Sequence, residues 1–415
     1  MNRPHRLAPD DGWLHEPWPH ERNASGITRL ELVCGWVTGL DPRGPDIADV
    51  DPLADPLDAL DRALIGSLQQ APCCVAFSGG RDSSVLLALA TRLARREGLP
   101  EPIALTMRWP GLPETDESDW QEQVVTHLGI RDWQILEPDD DLDLVGAVAG
   151  PLLLEHGLTW PPAAHVVLPL QRAATGGVLV MGDGGDQIFA GWRRARLGDL
   201  LAGRRRAQWR DVLRALDALA PTPLRALADS LRADTPAPWL SPPTLRAWRR
   251  HQGSAAAQEP ATWPAFLRWT RRERATVLTL DTWERIGRGV GSGLSTPFWD
   301  PVFLRSLGVW GGRFGRGQRT PLMAALFSDL LPDTILRRTT KAHFTRAFFS
   351  HASRRFAEGW SGPAPESPIV DARSLRETWL TDLPPNTSAV LLQASWLLGQ
   401  ATPATPPAGQ PAIDG

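Results

Sequence analysis

The sequence predicts an α/β fold with a parallel, doubly wound sheet and a helical C-terminal part. Short apolar runs alternate with segments whose apolar residues recur at helical spacing, and glycine-rich loops follow two of these runs. Repeated β–loop–α units place their strands parallel, with the connecting helices on both faces of the sheet. From about residue 192 the pattern becomes helical with proline-rich breaks. Ligands in such sheets bind beyond the carboxyl ends of the strands, so the loops there are the first candidates for a site.

The first β–loop–α unit contains a candidate phosphate-binding loop. A strand predicted at 73–77 leads into Ser78-Gly79-Gly80-Arg81-Asp82-Ser83-Ser84, and a helix that ends before Gly98 follows. The two glycines let successive N–H groups point at an anion, the serines add hydroxyls, and the helix adds its positive dipole end. Asp82 would repel a bare phosphate, so we expect Mg²⁺ between them. The loop has neither the Gly-Lys-Ser/Thr of Walker loops nor the three glycines of the dinucleotide pattern.

The other elements of the predicted sheet follow in order. Strands are predicted at 103–107, 134–136 and 178–181, with helices at 58–68, 116–128 and about 142–155. The last strand ends in Gly182-Asp183-Gly184-Gly185-Asp186, at the same sheet edge as the first loop. One aspartate can hold a cation while the other takes a proton. We therefore expect Asp82 and Asp186 to share Mg²⁺ around a pyrophosphate.

Outside these units the prediction is coarser. The apolar stretch from Leu30 to Leu40 predicts a strand or hairpin, and 264–286 predicts one long helix. Residues 1–57 are expected to form a small N-terminal appendage or remnant, and 58–398 one large domain. Residues 399–415 have the composition of a disordered tail.

Composition excludes several classes of function. The net charge of −3 argues against binding of nucleic acid, and no apolar run is long enough to span a bilayer. The three cysteines form no metal-binding pattern and favour a reducing cytoplasm. The absence of tyrosine excludes a phenolic mechanism. The basic segment 192–210 is expected to be a solvated helix face, with docking of an acidic peptide or partner as the alternative.

Taken together, the motifs resemble the asparagine synthetase B family of ATP pyrophosphatases. The loop at 78–84 is similar to its pyrophosphatase loop, and 182–192 is similar to its second signature, with Gln187 and Trp192 as departures. Thr296-Pro297-Phe298-Trp299-Asp300 and the segment 331–344 resemble its later motifs. The resemblance covers about 60–350 and implies an adenine nucleotide alpha hydrolase-like sheet, an asparagine synthetase-like domain at 58–398, and cofactors ATP and Mg²⁺.

The resemblance also implies a mechanism and site residues. Family members adenylate a carboxylate with release of pyrophosphate, and an amine then displaces AMP. Carried over by position, the nucleotide would contact Ser78, Gly79, Gly80, Asp82, Ser83, Ser84, Met107 and Gly182. Mg²⁺ would be held by Asp82 and Asp186. The catalytic residues would be Lys341, which steadies the leaving pyrophosphate from a dry site, and Asp183, which accepts a proton from the amine.

The branch of the family is the remaining question. Residue 2 is Asn rather than the catalytic cysteine of glutamine-dependent synthetases, so we expect no glutamine hydrolysis. Arg338-Thr339-Thr340-Lys341 resembles a segment of macrolactam cyclases that close lasso peptides. The substrate is then a peptide carboxylate, and a partner that processes a precursor peptide is expected. Amidation of a small-molecule carboxylate, or a non-catalytic nucleotide-binding subunit, are the alternatives.

Overall fold

A computed structural model describes residues 12–138, 142–204, 206, 220–232, 237–367 and 369–401. Its centre is a parallel sheet of five strands in the order β3-β2-β1-β4-β5. The strands are β1 (Cys73–Ala76), β2 (Ile103–Met107), β3 (Trp133–Leu136), β4 (Val178–Val180) and β5 (Gly293–Ser295). The predicted α/β class with a parallel sheet is confirmed.

Helices cover both faces of this sheet. In the described part of the chain they are α1 (Arg29–Cys34), α2 (Pro56–Leu68), α3 (Arg81–Glu97), α4 (Ser118–Leu128), α5 (Ala149–His156), α6 (Leu168–Ala173), α7 (Gly185–Ala190), α8 (Ala195–Leu201), α9 (Thr222–Arg232), α10 (Pro242–Ala257), α11 (Trp263–Arg271), α12 (Arg274–Gly289), α13 (Pro301–Gly311), α14 (Arg319–Phe327), α15 (Asp333–Leu336), α16 (Thr345–Phe348), α17 (His351–Gly359), α18 (Ala372–Trp379) and α19 (Ala389–Ala401).

The strands are buried on both sides, as parallel strands covered by helices must be. On one face, Cys73 and Val75 pack against α2 and α3. On the other, Cys74 packs against residues of α6 and α12. Adjacent residues of a strand point to opposite faces, so the alternation along β1 serves both layers of the core. All three cysteines are buried and free of disulfides.

Strand register brings two of the functional loops to one edge. Val75 of β1 pairs with Ala104 of β2 on one side and with Val180 of β4 on the other. The loops after β1 and β4 therefore leave the sheet side by side. The strand β5 was not predicted, because Gly293-Leu294-Ser295 has no apolar run and is only partly buried.

Two predictions in the helical regions are wrong. The stretch that begins at Leu30 is helical, because Thr28 and Glu31 form a reciprocal capping box at the start of α1. The long helix expected at 264–286 is two helices, α11 and α12, which are separated at Arg272 and Glu273. The break occurs where the Arg272 carbonyl accepts a hydrogen bond from the Asp41 N–H, and where the Arg274 N–H donates to the Gly39 carbonyl.

The described part of the N-terminal segment packs against the end of the chain. Leu30 of α1 shares a core with Trp379 of α18 and Leu391 of α19, and Trp239 Nε1 donates to the Val33 carbonyl at 2.8 Å. The helix α19 extends through Ala401, so only 402–415 of the expected tail lies outside the described residues. Within the part described, no helix is long and apolar enough to cross a membrane.

Candidate functional site

Two aspartates from separate loops lie on either side of one guanidinium. Asp82 is in the first turn of α3, just after β1, and Asp186 is in the first turn of α7, just after β4. Arg319 Nη2 lies 2.6 Å from Asp82 Oδ2, and Arg319 Nη1 donates to Asp186 Oδ1. Gly185 permits this approach, because a Cβ there would overlap the Asp82 carboxylate. Both carboxylates thus converge on a single cation.

Arg319, which links the two loops, is a site residue that the sequence argument missed. It is the first residue of α14 and belongs to none of the motifs from which the site was predicted. One signal was available in the sequence. Gly312, Gly315 and Gly317 precede it, all with positive φ, so a glycine-rich turn leads into a helix here as it does before α3. That pattern marks the start of a helix, but it does not show which loop the first side chain contacts.

The loop after β1 is held by its own serines. The Ser78 and Ser83 hydroxyls lie 3.1 Å apart, and the Gly80 N–H donates to Ser78 Oγ at 3.3 Å. The Ser84 hydroxyl is fully buried and donates to the Gly80 carbonyl at 2.8 Å. Gly79 has φ +80°, and a Cβ there would meet the Gln121 side chain at 2.9 Å. Ser84 therefore shapes the loop from inside rather than facing a ligand.

Two cations from the segment after α15 complete the surroundings. Lys341 Nζ lies 2.7 Å from Asp186 Oδ2, with three quarters of its side chain exposed. The sequence predicted a buried ammonium at Lys341, whereas in the structure this ammonium is exposed. Arg338 is buried instead. It donates to the Gly79 carbonyl at 2.9 Å, pairs with Glu117, and stacks over Trp120 with its guanidinium carbon 4.7 Å from the ring centre.

These groups surround a cavity of about 470 Å³, called here the nucleotide cavity. Seven of the residues predicted from the phosphate loop, the Met107 strand end and the second loop line it, and Lys341 does too; together they are Ser78, Gly80, Asp82, Ser83, Met107, Gly182, Asp186 and Lys341. Gly79, Ser84 and Asp183 do not line it. Its cations are Arg81, Arg319, Arg338 and Lys341. Three carboxylates, those of Asp82, Glu117 and Asp186, line the same wall, so the cations exceed them by one and an anion is favoured there.

The pKa values of Asp82 and Asp186 are shifted in opposite directions. Burial raises the pKa of Asp82, although the neighbouring Arg319 opposes the shift. Burial also acts to raise the pKa of Asp186, but Lys341 and Arg319 outweigh it and the pKa is lowered. Burial lowers the pKa of Arg81, with Arg319 acting in the same sense. Cations crowd this edge of the sheet, and an anion bound there would relieve their repulsion.

Asp183 faces a different space from Asp186. Trp299 Nε1 donates to Asp183 Oδ2 at 2.8 Å, and this tryptophan lies in the segment that resembles the family's third motif. Burial raises the pKa of Asp183, although the Trp299 hydrogen bond opposes the shift. A carboxyl with a raised pKa, on a loop that also lines the nucleotide cavity, is suited to accept a proton.

The space that Asp183 lines is a second cavity of about 720 Å³, called here the aromatic cavity. Its wall includes Trp36, Trp160, Trp269 and Trp283, which come from four separate segments. The loop 182–187 lies between the two cavities, because Gly182 and Asp186 line the first while Asp183 and Gln187 line the second. The same loop therefore contributes to the walls of both cavities.

Comparison with protein families settles the relationship that these motifs indicated. The model of the family described as asparagine synthase matches residues 57–397. The chain belongs to the asparagine synthase family. No curated protein matches it. Members of this family are ATP-dependent, AMP-forming ligases, so the asparagine synthase domain accounts for the nucleotide cavity in general terms.

The donor set fits a magnesium ion held jointly by protein and phosphate. Asp82 Oδ1 is buried and has no hydrogen-bond partner among the described residues, and Asp82 and Asp186 already share one cation. No group of three or more His, Cys, Asp or Glu side chains able to hold a metal occurs in the described ranges. Mg²⁺ commonly takes one or two carboxylates and completes its shell with phosphate oxygens and water.

Proposed function

We propose that this asparagine synthase family member forms an amide bond by adenylating a carboxylate with ATP, releasing pyrophosphate and then AMP. The observation that carries the proposal is the convergence of Asp82, Asp186, Arg319 and Lys341 on one cavity at the carboxyl edge of a parallel sheet. These four residues come from four different parts of the chain.

In the first step the substrate carboxylate attacks the α-phosphorus of ATP, and the bond from that phosphorus to the β-phosphate oxygen breaks. The nucleotide's phosphates would lie over the loop 78–83, and the exposed Lys341 would follow the leaving pyrophosphate. Asp82 and Asp186 would hold Mg²⁺, which spreads the negative charge of the phosphates. Arg319 would turn from the carboxylates to the phosphate oxygens, where a guanidinium binds two oxygens at once.

In the second step an amine nitrogen attacks the acyl carbon, and the bond from that carbon to AMP breaks. The amine must lose a proton as the amide forms. Asp183 is the carboxyl on the loop between the two cavities, and its raised pKa suits it to take that proton. Trp299 fixes its orientation through the hydrogen bond to Oδ2.

As the specific reaction of this enzyme we propose macrolactam closure of a lasso-type ribosomal peptide. Two observations support it: the Arg338-Thr339-Thr340-Lys341 segment contributes to the nucleotide cavity, and the adjoining aromatic cavity of about 720 Å³ exceeds what a single small amino acid fills. The amine and the carboxylate would then belong to the same molecule. A partner that processes the precursor peptide would accompany the enzyme.

Pyrophosphate release in the presence of ATP, Mg²⁺ and candidate carboxylates tests the proposal. We expect release by the natural chain, and a loss of about 10³-fold in Asp82→Asn and about 10²-fold in Lys341→Ala. Asp329→Asn is a matched control, because Asp329 is exposed and outside both cavities.

Release by Asp82→Asn at the natural rate would overturn the assignment of the metal site. A chain that binds ATP but releases no pyrophosphate with any peptide or small-molecule carboxylate would instead be a nucleotide-binding subunit. Release with small carboxylates alone would place the enzyme among amidating ligases.

A further inference from the structure

The aromatic cavity differs from the nucleotide cavity in the sign of its unpaired charge. Three carboxyl groups line it, those of Asp183, Glu259 and Glu273, and the cation on its wall is Arg193. Arg193 and Arg194 both pair with Glu259, at 3.2 Å and 2.7 Å, so that carboxylate is neutralised. Asp183 and Glu273 are left without a cationic partner among the described residues.

The two unpaired carboxyls lie in different surroundings. Glu273 stands at the break between α11 and α12, where its Oε2 accepts a hydrogen bond from Thr270 Oγ1 at 2.7 Å. Burial, and then the charge of Glu259, raise the pKa of Glu273 to about 7. The charges that act on Asp183 are those of Asp186 and Asp82. Glu273 and Asp183 therefore line the cavity from different elements, the break between α11 and α12 and the loop after β4.

The wall also contains buried polar atoms without a partner. Trp269 Nε1, Gln252 Oε1 and Thr387 Oγ1 have none in the described ranges, and all three residues line this cavity. A buried polar atom left unpaired is costly, so these three atoms favour a bound molecule with hydrogen-bonding groups. Trp36, half exposed and packed edge-on against Trp160, marks the side that is open to solvent.

We infer that the aromatic cavity binds the amine-bearing substrate as an elongated, apolar cation, with its reacting amine near Asp183 and a second basic group paired with Glu273. This inference deepens the proposed function and rests on it. Indole faces attract ammonium groups, and unpaired carboxylates in an apolar cavity attract them further. The cationic nucleotide cavity takes the phosphates and the carboxylate. Each reactant is thus drawn to the cavity of opposite charge.

Calorimetric titration of the full-length chain with three probes of equal chain length tests the inference without any turnover. The probes are diaminooctane, octylamine and octanoate, at a pH of about 8 so that Glu273 is ionised. The charged groups that line the same cavity are Asp183, Arg193 and Glu259. We expect diaminooctane to bind about tenfold more tightly than octylamine, and octanoate to bind most weakly.

The variant Glu273→Gln should bind the two amines with equal affinity, while the exposed Glu284→Gln on the same helix keeps the natural preference. Octanoate that binds as tightly as the amines would overturn the inference even if the Glu273 variant failed to fold. An unchanged preference in a folded Glu273→Gln would overturn the role of that residue. Because these titrations use no ATP, a failure of pyrophosphate release is recorded separately.

Discussion

The two cavities that share the loop 182–187 were built in different ways. About half of the residues that line the nucleotide cavity come from segments that each follow a strand, so they are close in sequence within each motif. The aromatic cavity takes its tryptophans from residues 36, 160, 269 and 283, on segments that meet only in the folded chain. The first is cationic and the second has unpaired carboxyls. On the proposed function, the activating centre comes from local motifs, and the specificity comes from segments that are distant in the sequence.

Of the substitutions at Arg319, Glu273 and Trp269, Arg319→Ala should produce the largest effect and should confine it to the nucleotide cavity. The variant loses the guanidinium that links Asp82 and Asp186, and we expect pyrophosphate release to fall by about 10²-fold or more. Without that competing cation, the free carboxylates should bind Mn²⁺ more tightly in the absence of nucleotide. Rapid-quench kinetics measures the first change, and paramagnetic resonance of added Mn²⁺ measures the second.

Arg337→Ala serves as the control for this variant, because Arg337 is exposed and pairs only with Asp333 on its own helix in the described structure. Mn²⁺ affinity that is the same in Arg319→Ala as in the natural chain would show that the guanidinium does not occupy the cation position. Weaker binding of diaminooctane in Arg319→Ala would show that the two cavities are not independent.

Glu273→Gln should produce an intermediate effect, this time on stability. The pKa of Glu273 is raised to about 7 in the folded protein, against about 4.3 in an unfolded chain. As pH rises from about 5 to about 7, the unfolded chain releases this proton first, so the natural protein loses stability across that window. The loss should reach about 2–3 kcal/mol, and the variant should escape it.

Urea unfolding at several pH values measures this difference, with Glu284→Gln as the matched substitution on the exposed side of α12. We expect Glu273→Gln to gain stability relative to the natural protein as pH rises. A difference in the free energy of unfolding that stays constant with pH would rule out a buried, protonated Glu273.

Trp269→Phe should produce the smallest effect. The indole N–H that it removes has no partner among the described residues, so we expect the free energy of unfolding to change by less than about 1 kcal/mol. Trp239→Phe is the contrasting control. It would leave the Val33 carbonyl unpaired and cost about 2–3 kcal/mol. If both variants lost the same free energy of unfolding in thermal or urea experiments, the Trp269 N–H would have to be hydrogen-bonded in solution.

Sequence patterns predicted the sheet and half of the site for a physical reason. Each β–loop–α unit is local, so the strand, its glycine turn and the first helical turn are adjacent in the chain, as with β1, the loop 78–80 and Asp82. The strand β2 was predicted at its observed bounds, Ile103–Met107. The strand β5 was missed because its three residues have no apolar pattern of their own. They form a strand because they pair with β4.

The rest depended on contacts between distant segments. Arg319 reaches Asp82 across 237 positions of sequence, and no local pattern records that distance. The break between α11 and α12 comes from backbone bonds to residues 39–41, which no helical periodicity could show. Glu273 is a cavity residue because of that break. The roles predicted for the individual site residues stay predictions until the variants above are measured.

The anchoring of Arg338 under the phosphate loop has a consequence for synthesis of the chain. Its partner, the Gly79 carbonyl, lies 259 positions earlier in the sequence. Lys341 follows shortly after Arg338, in the same segment. On the ribosome the glycine loop therefore emerges long before either cation arrives. An unfinished polypeptide, or one truncated before this segment, would carry the recognisable ATP motif and yet lack the charges that act on it. On the proposed function, such chains lack Arg338 and Lys341 and should therefore consume no nucleotide.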